Sequence, residues 1–571
     1  MTDINNTETE IVTRRVSNTA DRETNCGIGS CQPEGLQCCA NILPFSLLHG
    51  VTLLLTQAFS LYIASQITTI EKAYNLNSTT SGILLSCNDI GFVVTVLLVS
   101  HFGRRHHIPR ILGVSVIIYA IAGILSSLPQ FISWKNVAIG SSSRSNSNVT
   151  IDTNLCNIAT NGTTNLSGNC TTSAKSEQEV KWVVVWFGVC FAVQGLAKSP
   201  RNPLGTLYVD SNVDKTKTGF YIGIISTIGL FGPFIGLILG GMFATIPVDL
   251  KETFLTPYDP RWIGAWWIGF LVIGGLALIC SIPVFCFPKY IKQEEQTENE
   301  TKMARMSDTK ESVCREFKDL PKSMFRILRK PVFSLTLLSI ICIMLSIVAV
   351  NGFGPKYIET QFNRPVYEAN ITLGIQRIIT SAIGTFLGGV ITRKLKLDRK
   401  GCLKMIVILH LVECIFHSLQ FLFGCENEII YGQEIFHQLY LVHVSLRRTW
   451  RFVIKVEKPT THPVLQDVRM TVQEDDRAMA MGIVSFSMSL FAFIPGPILF
   501  GMLIDSTCRI WNSTCGVRGA CSLYNITDMR MKLISADVVL NIISFALNVL
   551  TLICVTIETR KMLTSDTTDK K

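Results

Sequence analysis

Polar and apolar residues are not interleaved along this chain; they are sorted into long blocks. Runs of about twenty apolar residues, the length a helix needs to cross a hydrocarbon core, occupy 43–66, 82–100, 111–133, 181–198, 219–247, 263–287, 331–352, 372–392, 402–424, 478–504 and 533–557. No alternation of the barrel kind is visible, so the expected class is all-α, a polytopic membrane protein with eleven clear spans. One stretch departs from this pattern. Between Cys425 and Arg477 no apolar run is long enough to span, and the amphipathic segment EIFHQLYLVHVSLRRTWRFVIKV carries Arg447, Arg448 and Arg451. Each Arg at mid-bilayer costs roughly 2.5–3.5 kcal/mol on insertion scales, so this segment is expected to lie on the membrane surface. With eleven spans, parity then puts the C-terminal tail outside, against the preference of Arg560, Lys561, Lys570 and Lys571 for the cytoplasm.

Charge adds sidedness. The chain has 571 residues, 48% hydrophobic and 16% charged, with a mean hydropathy of +0.36 and a net charge of +10. In a chain this apolar the bases read as cytoplasmic loop markers, so the expected partner is the lipid bilayer and not nucleic acid. Arg104, Arg105 and Arg110 mark one loop, eleven Lys or Arg mark 288–330, and Arg393, Lys394, Lys396, Arg399, Lys400 and Lys404 mark another. Four N-x-S/T sequons, at Asn148, Asn161, Asn165 and Asn169, place the loop 134–180 outside as a glycosylation site. Asn512 and Asn525 place 505–530 outside too. The expected organisation is a cytoplasmic tail 1–40, a six-helix half 41–287, a cytoplasmic loop 288–330, a second half 331–557 with the atypical segment 425–477, and a tail 558–571. No cleavable signal is expected, because the first apolar run reads as an anchor. Cys26, Cys31, Cys38 and Cys39 fit no familiar metal spacing. Free thiols, palmitoylated at Cys38 and Cys39, are the expectation.

Each half has a short basic loop after its second span, GRRHHIPR and TRKLKLDRK. That repeat marks the major facilitator architecture, two six-helix bundles related by an axis along the membrane normal, here with the tenth helix missing or degraded. Residues 259–271 read DPRWIGAWWIGFL. This run resembles the signature of organic anion transporting polypeptides. YIASQITTIEKAY, HIPR, GPKYIETQF, LGGVITRKLKL and IDSTCRIWNSTCGVRGACSLYN resemble the same family, over about 40–425 and 468–555. The resemblance implies twelve helices and a Kazal-like loop after the ninth; 430–467 resembles neither that loop nor a tenth span, so the chain reads as a short form.

A carrier of anions needs a cation or dipole at the midplane and apolar walls. Lys356, at the outer end of the seventh span, is the position the resemblance implicates in anion binding. Arg377, inside the eighth span, is a costly intramembrane charge and a candidate substrate contact. Asp89, beside Asn88 in the second span, is the acidic counterpart, expected to pair with a buried base or to serve coupling. Ser489 stands where the family usually bears a base in the eleventh span, and Gln130 where many members carry a histidine; weak acid stimulation is expected, with His49, His410 and His417 as other proton sites. Arg261, Trp262, Trp266 and Trp267 are expected at the outer mouth of the sixth span, as an aromatic belt or a gate. Gly232, Gly236 and Gly240, and likewise Gly384 and Gly388, fall four apart and predict close helix seams. Cys508, Cys515 and Cys521 lie in an outside loop where disulfides form. Three is odd, leaving one to pair with Cys425 or Cys170, and Cys156 with Cys170 is a further candidate pair.

No P-loop, nucleophile motif or metal-spaced cluster is visible, so neither an enzyme nor an ATP-driven pump is expected, and no cofactor or metal. The expected activity is sodium-independent secondary transport of amphipathic organic anions (bile-salt-like, steroid-conjugate or eicosanoid-like) by alternating access. A non-transporting or degenerate paralogue, and a facilitator of another solute, stay open.

Overall fold

The computed structural model describes residues 26, 27, 37, 41–102, 106–137, 170–213, 215–259, 261–291, 325–395, 399–422, 424, 477–514 and 517–568. The first set of helices is α1 (Ile42–Ser65), α2 (Ile67–Tyr74), α3 (Ser78–Phe102), α4 (Ile108–Leu125), α5 (Leu128–Val137), α6 (Cys170–Lys198), α7 (Arg201–Ser211), α8 (Lys215–Leu230), α9 (Gly232–Ala244) and α10 (Trp266–Val284). The second set is α11 (Pro331–Phe362), α12 (Val366–Lys394), α13 (Arg399–Leu419), α14 (Arg477–Met488), a π-helical turn at Ser489–Phe493, α15 (Pro495–Asp505) and α16 (Ile526–Thr568). Between α15 and α16, β1 (Cys508–Thr514) and β2 (Val517–Tyr524) form an antiparallel hairpin. Ten spans among the described residues are long and apolar enough to cross a membrane. The helix at the eighth expected span, α12, carries Glu368 and Arg377 and is not one of the ten.

Proline divides the spans where the sequence dictates. A ring without an N–H is tolerated in a helix's first turn and breaks the ladder elsewhere. Thus Pro233 and Pro495 stand at the starts of α9 and α15, and Pro200 separates α6 from α7. In lipid there is little hydrophobic drive between helices, so packing and internal polar bonds hold the bundle. Gly232 and Gly236 press α9 onto the α1 backbone, where a Cβ would overlap Leu54 O and Ala58 O, and at Gly240 it would overlap the Ser65 side chain. That seam is the one the four-residue spacing predicts. Gly91 and Gly195 do the same between α3 and α6.

The buried cores separate by half. Phe59, Tyr62, Tyr74, Tyr119, Phe187, Phe191, Trp266 and Phe270 form one aromatic cluster within the first set. Ile327, Phe333, Leu337, Ile340, Ala480, Ile483 and Val484 cluster within the second. A polar seam binds α11, α13 and α16: Ser339 to Ser544 and Asn548, Asn548 to His410, and Asp537 to Ser346, Asn541 and His417.

The described elements of the second half place the two flanks of residues 425–476. α13 and α16 run antiparallel, His410 meeting Asn548 and His417 meeting Asp537. Gly424 therefore lies beside Arg530 at the outer start of α16. The chain resumes at Arg477 on the inner side, where Ala480 packs against Ile327 and Phe333. The described flanks, Gly424 and Arg477, thus stand at opposite ends of the second half, and α16 runs from the end of Gly424 toward that of Arg477.

Candidate functional site: the interface between the two halves

Glu71, on the short helix α2, and Lys356, near the end of α11, meet across the two halves as a buried ion pair, 5% and 4% exposed. Lys356 also donates to Ser78 Oγ at 2.7 Å and stands over the Tyr524 ring at 5.2 Å. Beside it Lys72 pairs with Glu359 at 2.5 Å. Asp505, the last residue of α15, accepts from the backbone N–H groups of Ser78 and Thr79 at 2.9 and 2.7 Å and from Thr79 Oγ1 at 2.6 Å. A carboxylate from one half thus caps the N-terminus of a helix in the other, satisfying donors that end would leave open. Asn75, in a left-handed conformation (φ 52), ends α2 and accepts from Ala520 N of the hairpin at 2.8 Å. Asn370 donates to Ser65 O at 3.1 Å, Ser86 donates to Ile494 O at 2.6 Å, and Tyr258 donates to Glu368 at 2.7 Å.

These crossings all lie at the outer end. Glycine packing follows the same gradient. A Cβ at Gly82 would overlap Pro497 O, one at Gly501 would overlap Ser78 O, and one at Gly241 would touch Ile371 and Tyr367 O. Further inward, Gly219 and Gly223 on α8, Gly388 on α12 and Gly482 on α14 have nothing within 4 Å of such a Cβ. Among the described residues nothing approaches the open face of Gly388 within 4 Å. The close glycine contacts between the halves, among the described residues, lie at the outer end.

The expected site residues fall unevenly on this interface. Lys356 belongs to it, neutralised by Glu71. Arg377 is buried in α12, 8% exposed, one turn after Gly374, which faces Leu237 and Ile238 of α9. Asp89 pairs with Lys198 at 2.9 Å; Lys198 also donates to Asn88, and Asn88 donates to Phe191 O at 3.3 Å. All of that lies within the first half, and the base that Asp89 meets, Lys198, is half-buried. Ser489 is buried at the start of the π-helical turn, and its carbonyl accepts from Ile494 N at 3.0 Å. Gln130 is buried in α5.

The tryptophans divide. Trp262 and Trp267 donate to Ala244 O and Val248 O at 2.8 and 3.0 Å, pinning the α9–α10 connection. Trp266 is fully buried among Tyr74, Phe187 and Phe270, which corrects the aromatic-belt expectation for it: its ring fills the first half's core and reaches neither lipid nor mouth. Arg261 is exposed and forks onto Asp259 at 3.0 and 3.1 Å, holding that carboxyl below the usual range. Cys508 and Cys521 form a disulfide that closes the hairpin. That pairing takes neither Cys425 nor Cys170. Cys156, Cys425, Cys515 and the sequons at Asn148, Asn161, Asn165 and Asn169 lie outside the described residues; Cys170 begins α6.

Glu71, Asp505, Lys198 and Asn75 were not foreseen. Glu71 and Lys72 sit in the quoted run YIASQITTIEKAY, and a lone acid beside an apolar span was the available signal.

Chains of similar fold include a bacterial homologue of the human lysosomal transporter Spinster, inward-facing and occupied, at 14% identity, covering 89% of this chain and 96% of that one with a TM-score of 0.57. A bacterial homologue of the iron transporter ferroportin, inward-facing, matches at 11% identity over 90% of this chain and 99% of that one, with a TM-score of 0.52. The fold is that of the major facilitators. Among curated proteins, human solute carrier organic anion transporter family member 2B1 is 26% identical over 86% of each chain. Human member 4C1 is 28% identical over 94% of this chain and 84% of its own, and Drosophila melanogaster member 74D is 25% identical over 90% and 74%. The model of the Organic Anion Transporter Polypeptide (OATP) family matches residues 44–447 and 452–529. With that match over most of its length, on a facilitator fold zipped at one end, this chain belongs to the organic anion transporter polypeptide family, multi-pass proteins of the plasma membrane that transport organic anions.

Proposed function

We propose that this protein is a sodium-independent secondary carrier of amphipathic organic anions, working by alternating access. The observation that carries the mechanism is the gradient across the interface: charge pairs, a helix cap and backbone-to-backbone contacts at the outer end, open glycine faces at the inner end. It corresponds to the inward-facing member of a two-state cycle. Opening outward separates Glu71 from Lys356. A cation that pairs with a carboxylate when the gate is shut becomes available to an anionic substrate when it is open. Arg377 supplies the deeper positive charge, and an intramembrane Arg of this kind marks a substrate path. The substrate class, steroid-conjugate or bile-salt-like, rests on membership of the family.

Uptake of labelled estrone sulfate into cells tests this reading, with sodium replaced by choline. Saturable uptake that excess unlabelled anion suppresses and sodium removal leaves intact is the expected result. At equal surface expression, Lys356→Ala should lose most of it and Lys356→Arg should keep a substantial part. No uptake above untransfected cells would favour a non-transporting paralogue. Equal activity of the two variants would remove Lys356 from the mechanism.

A further inference from the structure

The first half contains a buried cation that the interface does not use. Arg201 is the first residue of α7 and is 7% exposed, enclosed by α1 and α4. Its Nε and Nη1 are buried without a hydrogen-bond partner. No carboxylate among the described residues pairs with it; the titratable groups near it are His49 of α1 and Tyr119 of α4. The Tyr119 hydroxyl is already committed to Thr56 O at 3.1 Å. His49 is buried, stacked on Phe45, with its ring against Gly205, one turn after Arg201. Arg201 also stands where α7 starts, so the positive end of that helix adds to the guanidinium.

An ionised guanidinium with unmet donors is among the most costly groups to bury, and its charge cannot be shed because its pKa lies above any physiological pH. A water molecule could satisfy a donor but would leave the charge uncompensated. The surroundings set the size of what could compensate it. Phe45, Leu204 and Tyr208 pack nearby in a closed apolar cluster. With Arg201 only 7% exposed, the space beside it suits a small ion and not a bulky amphipathic one.

We propose that Arg201, with His49 beside it, holds a small inorganic anion of halide size inside the first half, apart from the interface through which transported anions pass. The ion neutralises the guanidinium and ties α7 to α1, so it acts as a structural counter-ion of the inner end of this half.

The test uses full-length protein purified in detergent, with chloride titrated against gluconate at constant ionic strength. Thermal unfolding should shift upward saturably with chloride, as for any ligand that binds only the folded state, and bromide should replace chloride. Arg201→Leu should abolish the shift and, having no orphan charge, should unfold at a higher temperature than the parent in gluconate. Arg201→Lys, which keeps the charge but loses the planar fork, should weaken the chloride midpoint tenfold or more. Radioactive chloride should bind the parent and be displaced by bromide, a readout that stands even where Arg201→Leu fails to fold. Saturating estrone sulfate should leave the chloride shift in place. No saturable shift and no chloride binding in the parent would overturn the proposal. So would an undiminished shift in Arg201→Leu, or loss of the shift on adding estrone sulfate, which would assign the ion to the transport path.

Discussion

Replacing Glu71 with Gln removes one charge from a pair that both halves bury and leaves Lys356 facing a neutral amide. Breaking a buried pair in this way costs about 3–5 kcal/mol, because the remaining charge stays desolvated. Two contacts survive: the bond to Ser78 Oγ at 2.7 Å and the Tyr524 ring at 5.2 Å. Both contacts are present in the parent as well, so they temper this cost without cancelling it. The outward-closed state should therefore lose about 2 kcal/mol or more relative to the outward-open one, in which Lys356 regains water. At 1.4 kcal/mol per decade, that is a shift of roughly 30-fold or more in the ratio of the two states. Leu85 lies beneath the pair, its side chain against Gly352 of α11. A cysteine placed there and probed on intact cells with a membrane-impermeant thiol reagent should label slowly in the parent. With Glu71→Gln it should label at least tenfold faster. The double variant Glu71→Gln, Lys356→Met carries no orphan charge and should label at a rate near the parent. If the double variant labels as fast as the single one, desolvation is not the cause and the argument fails. If the single variant labels at the parental rate, the pair is not a gate.

Three further outcomes follow from the same structure. Cys508→Ser opens the disulfide that closes the hairpin on Asn75; a cross-link of separation 13 is worth roughly 3 kcal/mol in chain entropy, and proteolysis of the hairpin on intact cells should accelerate many-fold, while equal resistance would show that strand pairing alone suffices. A C-terminal epitope should stain only after permeabilisation, and surface staining of intact cells would overturn the course assigned to α16. Glycosidase should lower the apparent mass of the parent, and replacement of Asn148, Asn161, Asn165 and Asn169 should abolish most of the change; unaltered mobility would reverse the sidedness of that loop.

Hydropathy made most of the spans legible, because a helix in lipid advertises its length in apolar residues. The four-residue glycine spacing of α9 was legible too, since only a helix without Cβ atoms on one face could meet the α1 backbone. Trp266 was misplaced for an instructive reason. Its sequence neighbours Trp262 and Trp267 do sit near the outer end, but helical rotation carries Trp266 inward to Tyr74 and Phe187. The partners of Lys356 and Asp89 were hidden by separation along the chain. Glu71 and Lys356 are 285 residues apart and Asp89 and Lys198 109, and spacing rules for single helices do not reach that far.

The glycine contacts between α3 and α15 have a consequence for experiment design. At Gly82 and Gly501 one half lays its backbone directly on the carbonyl oxygens of the other. Nothing at either position can yield by rotating a side chain, because the neighbour is main chain. A single methyl group, as Gly82→Ala or Gly501→Ala, is therefore a wedge that the shut outer gate has no means of accommodating. The same methyl would cost little once the halves part. Such one-carbon changes would act as conformational clamps, holding the carrier open to the outside without a bound inhibitor or antibody and giving a handle on the state opposite to the one described.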